Sequence, residues 1–213
     1  MARQAYQEQL LKLNGELIEM GDLCEEAMSL VMKALREKDE EIAVSVHKIE
    51  QKIDQKERDI EAMCMTLLLR QQPVSGDLRS ISSALRMIAD MERIGDHAVN
   101  LAEYGDDMRK WEIDFSDTVK EELNEMKAQC IAALDNLKEV TSENVERILS
   151  QAVIIEQKTD DMRDKYFKKQ MQRLKKGKCK PQSGIVFSEI LTDFERMGDH
   201  VKNIAQQYKQ MSE

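Results

Sequence analysis

A chain of 213 residues has room for one large domain or two small ones. Aromatics are 4 % and charged residues 34 %, with 2 prolines and 8 glycines, which suits long helices joined by aliphatic seams and argues against an extended β-sheet protein. The 32 basic and 41 acidic residues leave a net charge of −9, a balance that opposes a nucleic-acid partner; the basic run from Arg173 to Lys180 reads as a solvated turn.

The helices follow in chain order. Leu10, Leu13, Leu17, Met20, Cys24, Ala27, Val31 and Ala34 step by threes and fours, an amphipathic seam. A second helix carries Ile42, Val46, Ile49, Ile53, Ile60, Met63 and Leu67 and ends near Gln71-Gln72-Pro73, because proline disfavours helix at the residue before it. A third starts around Ser75-Gly76-Asp77 and runs through Ile81, Leu85 and Ile88 to about Leu101. Trp111 to Phe115 forms a link. Three more seams follow: Val119 to Leu137, Val145 to Met162, and Val186 to Ile204.

The second set repeats the first. Glu16, Met20, Cys24 and Ala27 become Glu122, Met126, Cys130 and Ala133 at a shift of 106, as do Ile49-Glu50-Gln51-Lys52 and Ile155-Glu156-Gln157-Lys158. Asp90, Glu92, Arg93, Gly95, Asp96, His97 and Asn100 become Asp193, Glu195, Arg196, Gly198, Asp199, His200 and Asn203 at a shift of 103. The three-residue difference is expected in the turn between the blocks. Such duplication, with short connections, predicts an all-α fold of two tandem three-helix bundles, six helices in a spectrin-like arrangement, with units at 1–109 and 110–213. The methionines at seam positions read as core filler.

Glu-x-x-x-Asp occurs at Glu50/Asp54, Glu92/Asp96, Glu156/Asp160 and Glu195/Asp199, and a spacing of four puts both carboxylates on one helix face. Their registry is the informative part. The mean of 50 and 96 is 73, as is that of 54 and 92; both second-unit pairs centre between 177 and 178. Antiparallel helices folded about those points bring four carboxylates together in each unit. At an effective dielectric of about 20, two unit charges 4 Å apart repel by roughly 4 kcal/mol, so protonation, basic neighbours (Arg93, Arg196, Lys52, Lys158) or a bound cation must compensate. Oxygen ligands suit hard cations and also iron, manganese or zinc. His97, His200, Asp90 and Asp193 are possible additional ligands; the histidines could equally hydrogen-bond a neighbouring carboxylate.

Glu92-Arg-Ile-Gly-Asp-His97 with Asn100, and Glu195-Arg-Met-Gly-Asp-His200 with Asn203, resemble the paired E-R-I-G-D-H-x-x-N signatures of the PhoU family. Gln72-Pro73 with Asp77-Leu78-Arg79 resembles its Q-P-x-x-x-D-L-R turn, which the second unit lacks. The resemblance spans about Tyr6 to Tyr208. It implies a cytoplasmic, often dimeric regulator that restrains a Pst-type ABC phosphate transporter and a phosphate-sensing histidine kinase, touching membranes only through partners. It further implies metal (iron, zinc, manganese or magnesium) at Glu50, Asp54, Glu92, Asp96, Glu156, Asp160, Glu195 and Asp199, and a partner contact at Pro73, Asp77 and Arg79.

Three rivals compete with that reading. An enzyme is disfavoured: no P-loop or nucleophile arrangement appears, and His97 and His200 fall five residues after a motif glutamate instead of the three used by di-iron helical oxidases. A structural spacer has no need of aligned acidic pairs. A PhoU-like cytosolic domain of a sodium–phosphate cotransporter is the third; Met1 and the lack of an apolar stretch of roughly 20 residues or a signal-peptide core point to a free-standing chain. The four cysteines form no C-x-x-C pair and read as reduced thiols.

Overall fold

The predicted seams fold as six helices in the computed structural model, which describes residues 2–37, 39–70 and 74–212. They are α1 (Ala2–Glu37), α2 (Glu40–Arg70), α3 (Ser75–Lys110), α4 (Asp117–Lys138), α5 (Val145–Lys175) and α6 (Pro181–Ser212). Helices α1–α3 pack on one another and α4–α6 do the same. Two bundles result, as the repeat requires.

Seam residues of all six helices form the core. Leu17, Met20, Cys24, Val46, Ile53, Ile88, Met126, Ile148, Ile190 and Phe194 are all buried in one cluster that runs through both units. The methionines of the seams lie in it too, among them Met28, Met87, Met91 and Met197. The most extensive helix contact is α3 against α6, with α1 against α4 beside it. The units therefore share a core across their boundary, while, among the described residues, α2 and α5 pack within their own bundles alone.

Helix α3 runs to Lys110, well past the predicted end near Leu101, because Leu101, Ala102, Gly105 and Met108 continue its buried stripe. It stops where Glu112 takes φ 50. The Glu112 amide donates to the Arg109 carbonyl and the Ile113 amide to that of Met108, a Schellman closure. Ile113 and Phe115 bury the link, Phe115 edge-on to Phe187 at 5.9 Å. Helix α5 closes the same way at Gly177, φ 64, with Gly177 donating to Leu174 and Lys178 to Arg173.

Two features depart from the sequence reading. The shortening of the second unit falls at the start of α6: at a shift of 103 the counterpart of Ser75 is Lys178, and α6 begins only at Pro181. The basic run is also more than a solvated turn. Arg173 donates to Glu122, which is 4 % exposed, at 2.8 Å, and Lys180 reaches the Trp111 carbonyl at 3.3 Å.

A side chain at Gly177 must adopt the left-handed conformation, which disfavours a β-branched residue most. Gly177→Val should lower unfolding free energy by about 1–2 kcal/mol, measured by urea denaturation. An unchanged midpoint would contradict this reading of the turn.

Candidate metal centre

Each carboxylate cluster is built by two long antiparallel helices that approach closely. Gly95 marks the close approach in the first unit: a Cβ there would stand 3.1 Å from Ile53 Cδ1, so a larger residue would require Ile53 to give by a few tenths of an ångström, one residue from both Asp54 and Asp96. Gly198 faces Thr159 less tightly, at 3.7 Å from its Cβ.

The structure brings Glu50 and Asp54 of α2 together with Glu92 and Asp96 of α3. Burial, then Asp54 and Asp96, push the Glu50 carboxyl above the usual carboxylate range. Burial and Asp96 raise Glu92, with Arg93 opposing. A fifth carboxylate, Glu57, belongs to the group: burial and then Asp54 raise it, and it acts in turn on Glu92. Sequence reasoning missed Glu57, although positions 50, 54 and 57 step by four and three along one helical face. Arg58 lies 3.7 Å from Asp54, and Arg93 3.2 Å from Asp96. Lys52, named among the compensating cations, instead lines a groove between α1 and α2.

The second unit groups Glu156 and Asp160 of α5 with Glu195 and Asp199 of α6. Asp160 is raised by burial and then by all three of its partners, with Lys202 opposing. Arg196 lies 3.7 Å from Glu195 and 3.8 Å from Asp199. Lys202 and Arg163 also enter this cluster, and neither figured in the sequence reading. Among the described residues, no three His, Cys, Asp or Glu side chains are posed to enclose an ion as they stand. An ion in either cluster would have to draw these carboxylates inward by side-chain rotation.

The remaining signature residues go elsewhere. His97 Nδ1 lies 2.8 Å from Asp193 Oδ1, and His200 Nδ1 lies 2.8 Å from Asp90 Oδ1. The two rings sit 5.6 Å apart, centroid to centroid. Asn203 adds a bond to Asp90 at 3.1 Å. Asp193, 7 % exposed, also acts on the Tyr104 hydroxyl, whose ionisation burial and then that carboxylate push up. This reciprocal network fastens α3 to α6. The two histidines thus make their Nδ1 bonds across the unit boundary, to a carboxylate of the other signature.

Cys24 and its repeat Cys130 are structural. Cys24 Sγ points at the Met91 carbonyl at 3.4 Å, and its repeat Cys130 at the Phe194 carbonyl at 3.3 Å. Burial pushes both thiols up to about 12, which leaves them inert as thiolates. At the tip of the first unit, the Val74 amide donates to Asp77 at 3.2 Å, Arg79 is exposed, and Pro73 lies outside the described residues.

The seam network and the carboxylate clusters can be separated by mutation. Asp193→Ala leaves His97 without its buried partner and should cost about 1–3 kcal/mol of stability. Glu92→Gln, on the opposite side of α3, removes one of the mutually repelling carboxylates and should leave the stability of metal-free protein unchanged or raised. Equal losses in thermal denaturation would contradict this division.

Comparison with known proteins agrees with the geometry. The PhoU domain family matches residues 17–105 and 123–208. A phosphate-specific transport system accessory protein PhoU homolog of Clostridium acetobutylicum is 30 % identical over 97 % of this chain and 93 % of its own length. One from Synechocystis is 29 % identical over 96 % and 89 %. The crystal structure of PhoU from Pseudomonas aeruginosa superposes with a TM-score of 0.88 at 23 % identity, covering 97 % of this chain and 98 % of its own. That of the phosphate transport system regulatory protein PhoU from Streptococcus pneumoniae gives 0.81 at 24 %, covering 97 % and 96 %. With two matched domains and a full-length relative, this chain belongs to the PhoU family.

Proposed function

We propose that this chain is a non-enzymatic accessory regulator of a phosphate-specific transport system, and that metal held between α2 and α3 is part of how it works. The observation that carries the first half is the match of both units to the PhoU domain, together with full-length relatives named as accessory proteins of that system. It restrains a Pst-type transporter and its associated sensor kinase from the cytoplasm, as a homodimer, and reaches the membrane only through partners. Among the described residues no helix is long and apolar enough to cross a membrane. The hairpin tip of the first unit supplies a docking surface, where Leu69 (79 % exposed), Val74 and Leu78 lie beside Asp77 and Arg79.

The metal reading rests on the charge of the first cluster. Glu50, Asp54, Glu57, Glu92 and Asp96 face two arginines, Arg58 and Arg93, that are both more than half exposed. An all-carboxylate donor set fits magnesium, manganese, iron or zinc. Glu50, Asp54, Glu92 and Asp96 would hold such a cation, whose positive charge would offset their mutual repulsion between α2 and α3. The chain's own residues shape the site: Gly95 allows the close approach of α3 to α2, and Arg93 and Arg58 pair with Asp96 and Asp54 at its exposed edge.

The pH dependence has a definite sign. Glu50, Glu57 and Glu92 ionise above their ordinary range, so the folded protein binds protons there more tightly than the unfolded chain. In metal-free protein this contribution favours folding below the ordinary carboxylate range and is lost as pH rises through the raised values. Metal binding competes with those protons and strengthens over the same rise. Manganese(II) affinity should therefore increase from about pH 4 to pH 7, measured by calorimetry, and be lost in Glu50→Gln/Glu92→Gln. PH-independent affinity would contradict the site.

Deleting the gene in its host should raise phosphate uptake in phosphate-rich medium, and the wild-type gene should restore repression. Leu78→Asp/Arg79→Glu should restore less than half of it if the hairpin tip carries the contact, in line with loss of interface anchors. Unchanged uptake in the deletion strain would contradict the regulatory role.

A further inference from the structure

The two units place their motif carboxylates at matching positions, yet two neighbours of those carboxylates differ. Position 57 of α2 is glutamate, and its counterpart in α5 is Arg163; position 99 of α3 is valine, and its counterpart in α6 is Lys202. Both changes replace a negative or apolar side chain by a cation, and both cations turn into the cluster. Lys202 Nζ lies 2.5 Å from Glu156 Oε1 and 3.3 Å from Asp199 Oδ1. It thus joins one carboxylate of α5 to one of α6, as a bridging metal ion would. Arg163 spans Asp164 at 3.1 Å and Glu195 at 3.7 Å.

Solvation separates the two units further. The Lys202 side chain is 22 % exposed, between Glu156 at 14 % and Asp199 at 29 %. Arg58 and Arg93 of the first unit are 58 % and 62 % exposed, and each pairs along the surface of its own helix. A half-sequestered ammonium donating two charge-assisted bonds is held much more firmly than an exposed pair. Asp160, which Lys202 does not bond, keeps a buried oxygen without a partner. A metal ion entering this cluster would have to expel the ammonium, so the second donor set does not fit one.

We propose that Lys202 is the resident cation of the second carboxylate cluster, so that this chain takes up metal in its first unit alone. The proposal deepens the metal reading above and rests on it for the first unit. The second cluster then acts as a permanently closed copy: its carboxylates on α5 and α6 are bridged whatever the metal supply, while those on α2 and α3, helices already packed together by their seams, are bridged only when metal is present.

The test is manganese(II) binding by calorimetry and by loss of the free-ion resonance signal, on the full chain and four variants. Wild type should lose all uptake with Glu50→Gln/Glu92→Gln and keep it with Glu156→Gln/Glu195→Gln. Lys202→Val/Arg163→Glu should about double the uptake, and Val99→Lys should weaken binding about 10–100-fold, the usual scale for a disturbed ligand shell. Uptake that survives the first-unit variant and disappears in the second-unit variant would overturn the proposal, as would equal uptake by both units of wild type. If wild type binds no manganese at all, the metal reading of the first unit fails, and Lys202 is judged separately by thermal unfolding of Lys202→Val. Its midpoint should fall, and added manganese should restore it; an unchanged midpoint would overturn the role of Lys202.

Discussion

Carboxylates gathered between two packed helices repel one another, and the pairing of α2 with α3 and of α5 with α6 depends on how that repulsion is balanced. The helices cannot separate to relieve it, because the Ile53–Gly95 contact and the buried seams on either side hold them together. At an effective dielectric of about 20, a single close pair costs roughly 4 kcal/mol, comparable with the whole stability margin of a small domain. Protons, arginines, a lysine and a metal ion are alternative solutions to one electrostatic problem. The two units adopt different ones, Lys202 being present in one and valine in the other.

The signature sequence serves two interfaces at once. At about 100° per residue, Asp90 and Glu92 lie roughly 160° apart around α3, while His97, seven residues after Asp90, returns to its side. Glu92 and Asp96 accordingly face α2, and Asp90 and His97 face α6. Because His97 bonds Asp193 while His200 bonds Asp90, each copy of the signature completes the other. The inter-unit seam thus lies on the far side of the same helices that carry the carboxylates. A change in how α2 sits on α3 has a direct route, through α3 itself, to the other unit.

Much of this was legible in the sequence. Seam periodicity gave the helices, and the common midpoint of the acidic pairs placed Glu50 against Asp96 and Glu156 against Asp199 before any coordinates. The partners of His97 and His200 were not legible, because they lie across a unit boundary whose packing no local spacing specifies. The end of α3 was missed because the helix extends past the signature on small buried residues, Ala102 and Gly105, which give a weak periodic signal. Lys202 and Arg163 were legible in principle: aligning the units at shifts of 103 and 106 exposes both.

The two clusters are chemically unequal, one holding Lys202 and the other not. Anomalous diffraction at the manganese edge, from crystals of full-length protein grown with manganese(II), would show this most directly. The predicted map has density between Glu50, Asp54, Glu92 and Asp96, with Lys202 still bonded to Glu156 and Asp199 in the other unit. Equal peaks in both units, with Lys202 displaced, would contradict it.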